Sequence, residues 1–359
     1  MHRTLVHTLV RSALVAALVV AALGVVAAPA DASQIVSTGT GTHIRLGVNA
    51  KGEAMVSYVS VGKQVHVLAW GGAVNAIAPT RGRQQLALQL AYDGGFQHNY
   101  TQSDEVRAGL AKLHALQAQM AKATASANNK LRYSLSPKIT ATYKQLAQLR
   151  ATATSYWQTF SCPKYDGPAL ADLVVACRAP DGSYWAVQSW DRDLPDYGIA
   201  PTVAQSQMEI HLAHWKGPLP VLDVHVDWAW GGQWNHFWGT YTYAGKGVFG
   251  FGSTSAGVPL DTFGRNLYID TYDSAYGSGW RRENSFLTHA SGGSWCYSVN
   301  PHGPHPAGTG SEYRFTILGP GLTPDVSTTL PAPGAYDKAA QQPDNDALRA
   351  LGDRLCQPH

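Results

Sequence analysis

The sequence lacks a strong charge of either sign. Its 359 residues hold 27 Lys and Arg against 24 Asp and Glu, a balance that gives no broad field to attract nucleic acid or anionic lipid. It also lacks a Gly-x-Ser-x-Gly elbow, a P-loop, a Gly-x-Gly-x-x-Gly fingerprint and a Cys-x-x-Cys pair. These motifs are typical of hydrolases, nucleotide-binding proteins and zinc or redox sites. We therefore expect no nucleic-acid partner, and the missing motifs weigh against an enzyme.

The first 32 residues have the order of a cleavable export signal. Arg3 and Arg11 precede the uncharged run 13–28, and the small residues Ala30 and Ala32 follow at the positions that signal peptidase reads. The run is shorter than the roughly 20 residues of a membrane-spanning helix, and no later stretch is long and apolar enough to span. The sequence predicts a signal peptide at 1–32, a secreted chain and no transmembrane segment after cleavage. A retained membrane anchor is the alternative.

Four cysteines remain after the expected cleavage: Cys162, Cys177, Cys296 and Cys356. An even number in an exported chain favours disulfides over a zinc site, although the count alone leaves three pairings open. We favour Cys162–Cys177, because these two are close in sequence and bracket one turn-rich segment. The pair Cys296–Cys356 would then tie the C-terminal tail to the body of the protein.

The periodicity of apolar residues predicts a mainly β fold, an antiparallel sandwich or jelly-roll-like structure with an inserted α-helical hairpin. After the leader we expect a β-meander at 33–100, the helical hairpin at 101–160, a tryptophan-rich antiparallel β domain at 161–330 and a tail at 331–359. The tail ends in a short helical pattern over 346–355.

The helical hairpin is predicted from a change of period between 103 and 159. Its first helix should have Ser103 as N-cap, and its second should begin with Ser136 as cap and Pro137 at the first helical position. The polar stretch 124–134 would link them. We interpret the hairpin as a packing insertion, with a partner-binding arm as the alternative.

The strongest candidate for chemistry is a predicted β-hairpin of strands 208–215 and 221–230. Strand period 2 places Asp223, His225 and Asp227 on one face. One turn register brings Glu209 and His211 beside them, and the other register brings His214. Such a face suits a divalent metal or a general acid–base pair. The alternative is an ordinary solvated sheet face, and we expect no other cofactor.

Two further segments are candidates for ligand binding. In the first, Trp234, His236 and Trp238 offer rings for sugar stacking and polar groups for hydroxyls. The second is a loop after a strand, with Asp273, Trp280 and Arg281. There, calcium or an anionic ligand competes with plain Arg–carboxylate pairing, which we prefer.

Three runs resemble those of uncharacterised exported bacterial proteins: residues 181–185, 264–289 and 319–326. The resemblance covers most of the mature chain, supports export and implies no chemistry. The sequence therefore predicts a secreted, non-catalytic binding protein, with a glycan of the cell envelope or surroundings as the expected partner. A secreted hydrolase at the Asp223, His225 and Asp227 face is one alternative. A structural or partner-binding envelope protein that uses the helical hairpin is another.

Overall fold

A computed structural model describes residues 33–71, 86–92, 94–95, 104–153, 159–192, 208–248, 267–274, 277–283, 288–289, 293–299, 310–352 and 356. Within these residues the protein is mainly β with antiparallel strands and a helical hairpin, as the sequence predicted. The helices of the described part do not include one with the length and hydropathy to cross a membrane. The predicted signal peptide lies outside the described residues.

The described strands are β1 (Gln34–Ser37), β2 (Thr42–Val48), β3 (Ala54–Ser60), β4 (Lys63–Trp70), β5 (Gln89–Ala91), β6 (Leu173–Arg178), β7 (Tyr184–Trp190), β8 (Glu209–Trp215), β9 (Val221–Ala229), β10 (Trp234–Tyr243), β11 (Lys246–Gly247), β12 (Leu267–Ser274), β13 (Gly277–Arg282), β14 (Thr288–His289), β15 (Ser294–Val299), β16 (Glu312–Ile317) and β17 (Val326–Pro331). The described helices are α1 (Asp104–Ala125), α2 (Asn129–Ala153) and α3 (Gln342–Ala350).

These strands form four antiparallel sheets. Sheet I has the order β1-β8-β7-β6, and sheet II is the meander β2-β3-β4-β5. Sheet III has the order β11-β10-β15-β14, with β9 also paired to β10, and sheet IV has the order β13-β12-β16-β17. Sheet I therefore joins the first described strand to strands more than a hundred residues later in the chain.

Sheets I and II pack face to face around one apolar core. In the meander, Leu46, Val56 and Val67 are register partners on three adjacent strands, and all three are buried. Trp185 and Ile210 contribute from sheet I. The alternation of apolar and polar residues that marked β2, β3 and β4 in the sequence is thus the alternation between this core and the outer face of sheet II.

Sheets III and IV form a second sandwich. Its core joins the sheet III residues Phe237, Tyr241 and Trp295 to residues such as Ile269 and Phe315 of sheet IV. β9 and β10 approach so closely that a Cβ on Gly239 would lie 1.9 Å from the Asp223 carbonyl oxygen. Glycine is the residue that fits this approach.

Sheet IV also meets sheet I. Trp190 at the end of β7 packs edge-on against Tyr268 of β12, with ring centroids 5.2 Å apart, in a cluster completed by Leu318 and Met208. The outer face of sheet IV is therefore covered at one end by sheet I. This junction creates the site described below.

The helical hairpin differs from its prediction at the second helix. α1 begins at Asp104, next to the predicted cap Ser103, which lies outside the described residues. α2 begins at Asn129, so Pro137 is inside the helix and the predicted start at Ser136 is wrong. The Asn128 side-chain oxygen accepts a hydrogen bond from the Leu131 N–H at 3.1 Å, which caps the helix earlier. Packing of Leu135 against α1 favours the longer helix despite the proline.

Both disulfides have the pairing that we favoured. Cys162 is bonded to Cys177, and Cys296 is bonded to Cys356. The second bridge holds the C-terminal segment against sheet III, where Leu348 of α3 packs on Trp238. α3 covers Gln342–Ala350 rather than the predicted 346–355, because a proline in its first turn is compatible with an earlier start.

Candidate functional site

The predicted β-hairpin of strands 208–215 and 221–230 does not form. β8 pairs with β1 and β7 in sheet I, whereas β9 pairs with β10 in sheet III. The residues between β8 and β9 include Pro218 and Pro220, and they carry the chain from one sheet to another instead of folding it back. His211 and Asp223 consequently belong to different sheets, and the predicted convergence of the histidine with this carboxylate is wrong.

Asp223, His225 and Asp227 do share one face of β9, but they do not form one open site, because Asp227 is buried. Both carboxylate oxygens of Asp227 are occupied, one by His236 Nδ1 at 2.8 Å and the other by the Trp238 Nε1–H at 2.9 Å. His225 stacks on Trp238 with ring centroids 4.1 Å apart and contacts Asp223 at 3.3 Å.

The C-terminal helix closes this face further. Asp344 of α3 lies near Asp227, and burial, followed by the charge of Asp227, raises the pKa of the Asp344 carboxyl. Within the described part of the chain no three His, Cys, Asp or Glu side chains are grouped as metal ligands. The end of this face at Asp227 and Trp238 is packed under α3, whereas the His225 and Asp223 side chains are 38% and 59% exposed.

The three candidates of the aromatic run do not form one platform. Trp234 is 37% exposed, whereas His236 and Trp238 are buried in the layer with Asp227. Trp230 is 51% exposed and has a positive φ of 54°, because β9 ends at Ala229 and the chain turns at Trp230.

The candidates Asp273, Trp280 and Arg281 belong to the β12–β13 hairpin and separate there. Asp273 Oδ1 accepts the Gly279 N–H at 2.6 Å, which orders the turn. Trp280 lies opposite Tyr272 on the outer face of sheet IV, whereas Arg281 lies opposite Thr271 on the inner face. The neighbouring Arg282 binds Asp270 at 2.5 Å, which is the Arg–carboxylate pairing that we preferred to calcium.

His211 is the centre of a buried polar network on the far face of sheet I. It lies 3.1 Å from both Glu209 and Asp325. Burial lowers the pKa of His211, but the hydrogen bonds with Asp325 and then Glu209 outweigh it, so the net shift is upward. The Ser33 hydroxyl donates to Asp325 at 2.6 Å, and Glu209 also contacts Arg192 at 3.3 Å. The network is fully enclosed and joins β1, β8 and the segment before β17.

Next to this network the junction of sheets I and IV contains a cavity of about 190 Å³. Sheet I and its flanking segments contribute Asp172, Trp190, Asp191 and Met208, and sheet IV contributes Asp270, Arg282, Arg314 and Thr316. Trp190 lies between the cavity and the His211 network, because it lines the cavity, stacks on the His211 ring at 4.9 Å and donates its Nε1–H to Asp325 at 3.1 Å. The cavity thus has one aromatic wall, a charged floor and its own set of polar groups.

The floor of the cavity is an ion-pair cluster around Asp270. This buried carboxylate binds Arg282 on one side and Arg314 on the other, at 2.5 and 3.0 Å. Burial raises the pKa of Asp270, but the charge of Arg282 and its hydrogen bond outweigh that effect and lower it. Arg282 also donates to the carbonyl groups of Asp191 and Arg192, both at 3.1 Å. The hydrogen-bonding groups of Asp270 and Arg282 are therefore occupied by each other, by Arg314 and by backbone carbonyl groups.

Asp191 is the exception in this lining. Its Oδ1 is buried and has no hydrogen-bond partner in the structure. Loss of hydration raises the pKa of Asp191 to about 6, although Arg282 opposes the shift. At the mouth of the cavity, Asp172 also has a raised pKa, chiefly from partial loss of hydration. Buried polar atoms are nearly always paired, so this unpaired carboxylate oxygen on a cavity wall can accept a hydrogen bond from a bound water or ligand.

Arg314 extends the cavity lining toward the outer surface. Its guanidinium lies 4.7 Å from the centre of the Trp280 ring, and Trp280 packs edge-on against Tyr272 at 5.1 Å. Tyr272 is 37% exposed. The outer face of sheet IV therefore leads from two aromatic rings, through an arginine, to the unpaired oxygen of Asp191. Among the residues predicted from the sequence, Trp280 is the one that belongs to this site.

Sequence reasoning missed Asp191, Asp172 and Arg314. Asp191 directly follows the tryptophan that ends β7, and a polar side chain just after a buried strand was the available signal. Comparisons with models of protein families, with curated proteins and with solved structures gave no match.

Proposed function

We propose that the protein is an exported, disulfide-bonded binding protein whose ligand is a glycan of the cell envelope or surroundings. The ligand site is the cavity at the junction of sheets I and IV together with the Trp280 and Tyr272 surface. The two disulfides are compatible with an extracellular location. Export itself is supported by the order of charged, apolar and small residues in the first 32 positions.

One observation carries the binding proposal. Asp191 Oδ1 is buried beside a cavity and lacks a hydrogen-bond partner. A buried acceptor without a partner costs about 1–3 kcal/mol, and a ligand hydroxyl that donates to it recovers that energy. Sugars supply such hydroxyl donors together with apolar ring faces.

The dimensions favour one sugar unit in the cavity and further units along the surface. The cavity of about 190 Å³ is smaller than the sites of roughly 300–1,000 Å³ that enclose larger ligands. Trp280 and Tyr272 offer ring faces and edges next to Arg314. A chain end would therefore enter the cavity while its neighbours lie against these aromatic rings.

Retention of the purified mature protein on peptidoglycan and on a panel of polysaccharides tests this proposal. We expect retention on at least one polymer, loss of retention in Asp191→Ala and weaker retention in Trp280→Ala. Asp346→Asn and Tyr143→Ala are matched controls, because they remove an exposed carboxylate and an exposed ring elsewhere. If no polymer retains the protein, or if the controls lose retention equally, the proposal is wrong.

Export is tested by mass spectrometry of the native product. We expect a chain that begins at Ser33 and contains no free thiol. An intact Met1 with four free thiols in the cytosol would contradict export.

Hydrolysis at the same cavity is a second candidate function. A carboxyl group with a pKa of about 6 suits proton donation near neutral pH, and Asp191 has this property beside a second carboxyl group, Asp172. Release of reducing ends from the retained polymer, lost in Asp191→Asn, would assign hydrolysis. Retention without release would assign binding alone.

A further inference from the structure

The outer face of sheet II carries a polar row that the proposed glycan site does not use. Arg45 on β2 is the register partner of Ser57 on β3, and Ser57 is the partner of His66 on β4. The three side chains therefore point to the same face, opposite to the core face of Leu46, Val56 and Val67. They line a groove of about 470 Å³, completed by His43, Val59 and Gln64.

The backbone of β2 is irregular at this groove. The register between β2 and β3 shifts between Thr42 and Arg45, and His43 within the shift has a positive φ of 53°. Such a conformation is unfavourable for a residue with a side chain. Irregularities of this kind re-aim side chains and are frequent beside functional sites. Here the irregularity places His43 in the groove lining.

Among the described residues, the lining has one permanent cation, Arg45, together with two histidines, and it contains no carboxylate. Arg45 and His43 come from β2, β3 supplies Ser57 and Val59, and Gln64 lies beside His66 on β4. Arg45 forms no ion pair within the described part of the chain, although a guanidinium is suited to hold two oxygens of one anion. An anion in this groove would therefore meet the charge of Arg45 without competition from a carboxylate of the described lining.

The Ser57–His66 pair can adapt to an anion. Ser57 Oγ lies 2.7 Å from His66 Nδ1, and the hydroxyl donates to the neutral ring in the tautomer that carries its proton on Nε2. When the ring takes up a proton, Nδ1–H donates to Ser57 Oγ instead, and the hydroxyl hydrogen becomes free to donate to a ligand. Burial lowers the pKa of His66, and a bound anion would raise it again.

We propose that this groove binds an oxyanion, a phosphate or carboxylate group, which Arg45 and the Ser57 hydroxyl hold while His66 takes up a proton. The site is on the opposite sandwich face from the Asp191 cavity, so it stands or fails independently of the glycan proposal. Its ligand is a single phosphate or carboxylate group, whatever binds at the Asp191 cavity.

Nuclear magnetic resonance of the mature protein with labelled histidine tests the proposal. The His66 ring is titrated with pH in inert salt, then with inorganic phosphate and, separately, with acetate. We expect one anion to raise the pKa of His66 and to shift the Arg45 and Ser57 resonances. A stronger response to phosphate assigns a phosphate group as ligand, and a stronger response to acetate assigns a carboxylate.

Variants separate the site from a general surface effect. Arg45→Gln should weaken the binding about tenfold, as the loss of a charged hydrogen bond does, and Ser57→Ala should reduce the rise in the His66 pKa. Lys112→Gln removes an exposed cation from α1 and should bind as the wild type does. An unchanged His66 titration with both anions, or an Arg45→Gln response equal to the wild type, would overturn the proposal.

Discussion

The two faces of sheet IV use alternate residues of the same strands for different purposes. The inner face places Leu267, Ile269, Phe315 and Ile317 in the core shared with sheet III, and all four are fully buried. The outer face places Asp270 and Arg314 at a cavity under the end of sheet I. The inner face stabilises the fold by apolar burial, whereas the outer face keeps charges and an unpaired neighbouring oxygen. That difference separates the residues that hold the fold from those available to a ligand.

The largest effect is expected from breaking the inner face. Phe315→Ala removes a fully buried ring that contacts Phe237 and Trp295, and it should lower the free energy of unfolding by about 4 kcal/mol. Urea denaturation measures the change. Retention on the glycan should persist wherever the variant remains folded. Selective loss of retention in the folded variant would show that the two faces are coupled.

A smaller effect is expected from breaking the floor of the cavity. Asp270→Asn leaves Arg282 buried without its carboxylate, and the free energy of unfolding should fall by about 3 kcal/mol. Because Arg282 also holds the carbonyl groups of Asp191 and Arg192, glycan retention should fall as well. Thermal and urea unfolding, with retention measured in parallel, test both parts. Full stability in the variant would mean that the ion pair contributes nothing.

His214 shows how a sealed interface responds to pH. It lies on the face of sheet I toward sheet II, stacked on Trp185 at 3.8 Å, and burial lowers its pKa to about 4. The unfolded chain binds a proton near pH 6.5 and the folded chain does not, so stability falls as the pH decreases from 6.5 toward 4. The loss should reach about 2 kcal/mol by pH 5.

The measurement compares urea unfolding of the wild type and His214→Gln between pH 7 and 5. The free energy of unfolding of the wild type, relative to that of His214→Gln, should fall by this amount as the pH falls. A difference in the free energy of unfolding that stays constant with pH would show that His214 is not the cause of the pH dependence.

Asp191 should show the opposite dependence and the smallest effect. Its folded pKa of about 6 lies above the unfolded value of 3.8, so the folded protein binds more protons in this range and gains stability as the pH falls from 6 toward 4. At pH 7 the ionised carboxylate is a cost, and Asp191→Asn should raise the free energy of unfolding by about 1 kcal/mol, a value reduced for its partial exposure.

Paired unfolding curves at pH 7 and pH 4 measure this gain, which should disappear at pH 4, where Asp191 is protonated. Asp346→Asn on α3 serves as a control, because it neutralises an exposed carboxylate that does not line the cavity. A destabilised Asp191→Asn at pH 7 would contradict the assignment of Asp191 as a ligand group.

Much of the local structure was predictable from residue patterns. Alternation predicted the β-meander of sheet II, the change of period located α1, and an even cysteine count with sequence proximity indicated the two disulfides. Period 2 also placed Asp223, His225 and Asp227 correctly on one face of β9. Each of these features depends on residues close together in the chain.

The candidate site was not predictable in the same way. β8 and β9 have the patterns of two hairpin strands, but β8 pairs with β1 and β7 because its apolar face completes the core with sheet II. The sequence pattern makes Asp227 a candidate catalytic group, but in the structure both of its carboxylate oxygens are hydrogen-bonded, one to His236 and the other to Trp238. No local sequence pattern distinguishes Asp191 from other aspartates, because the missing partner of its oxygen depends on residues far away in the chain.

The sequence by itself determined which segments are strands or helices and which side chains share a strand face, because backbone geometry repeats every two or 3.6 residues. Only the tertiary structure decided which strands are neighbours, since pairing depends on the burial of apolar faces far apart in the chain. It therefore also decided that Trp190, Asp191 and Arg314 meet at one cavity, and that His211 and Asp223 do not meet at all.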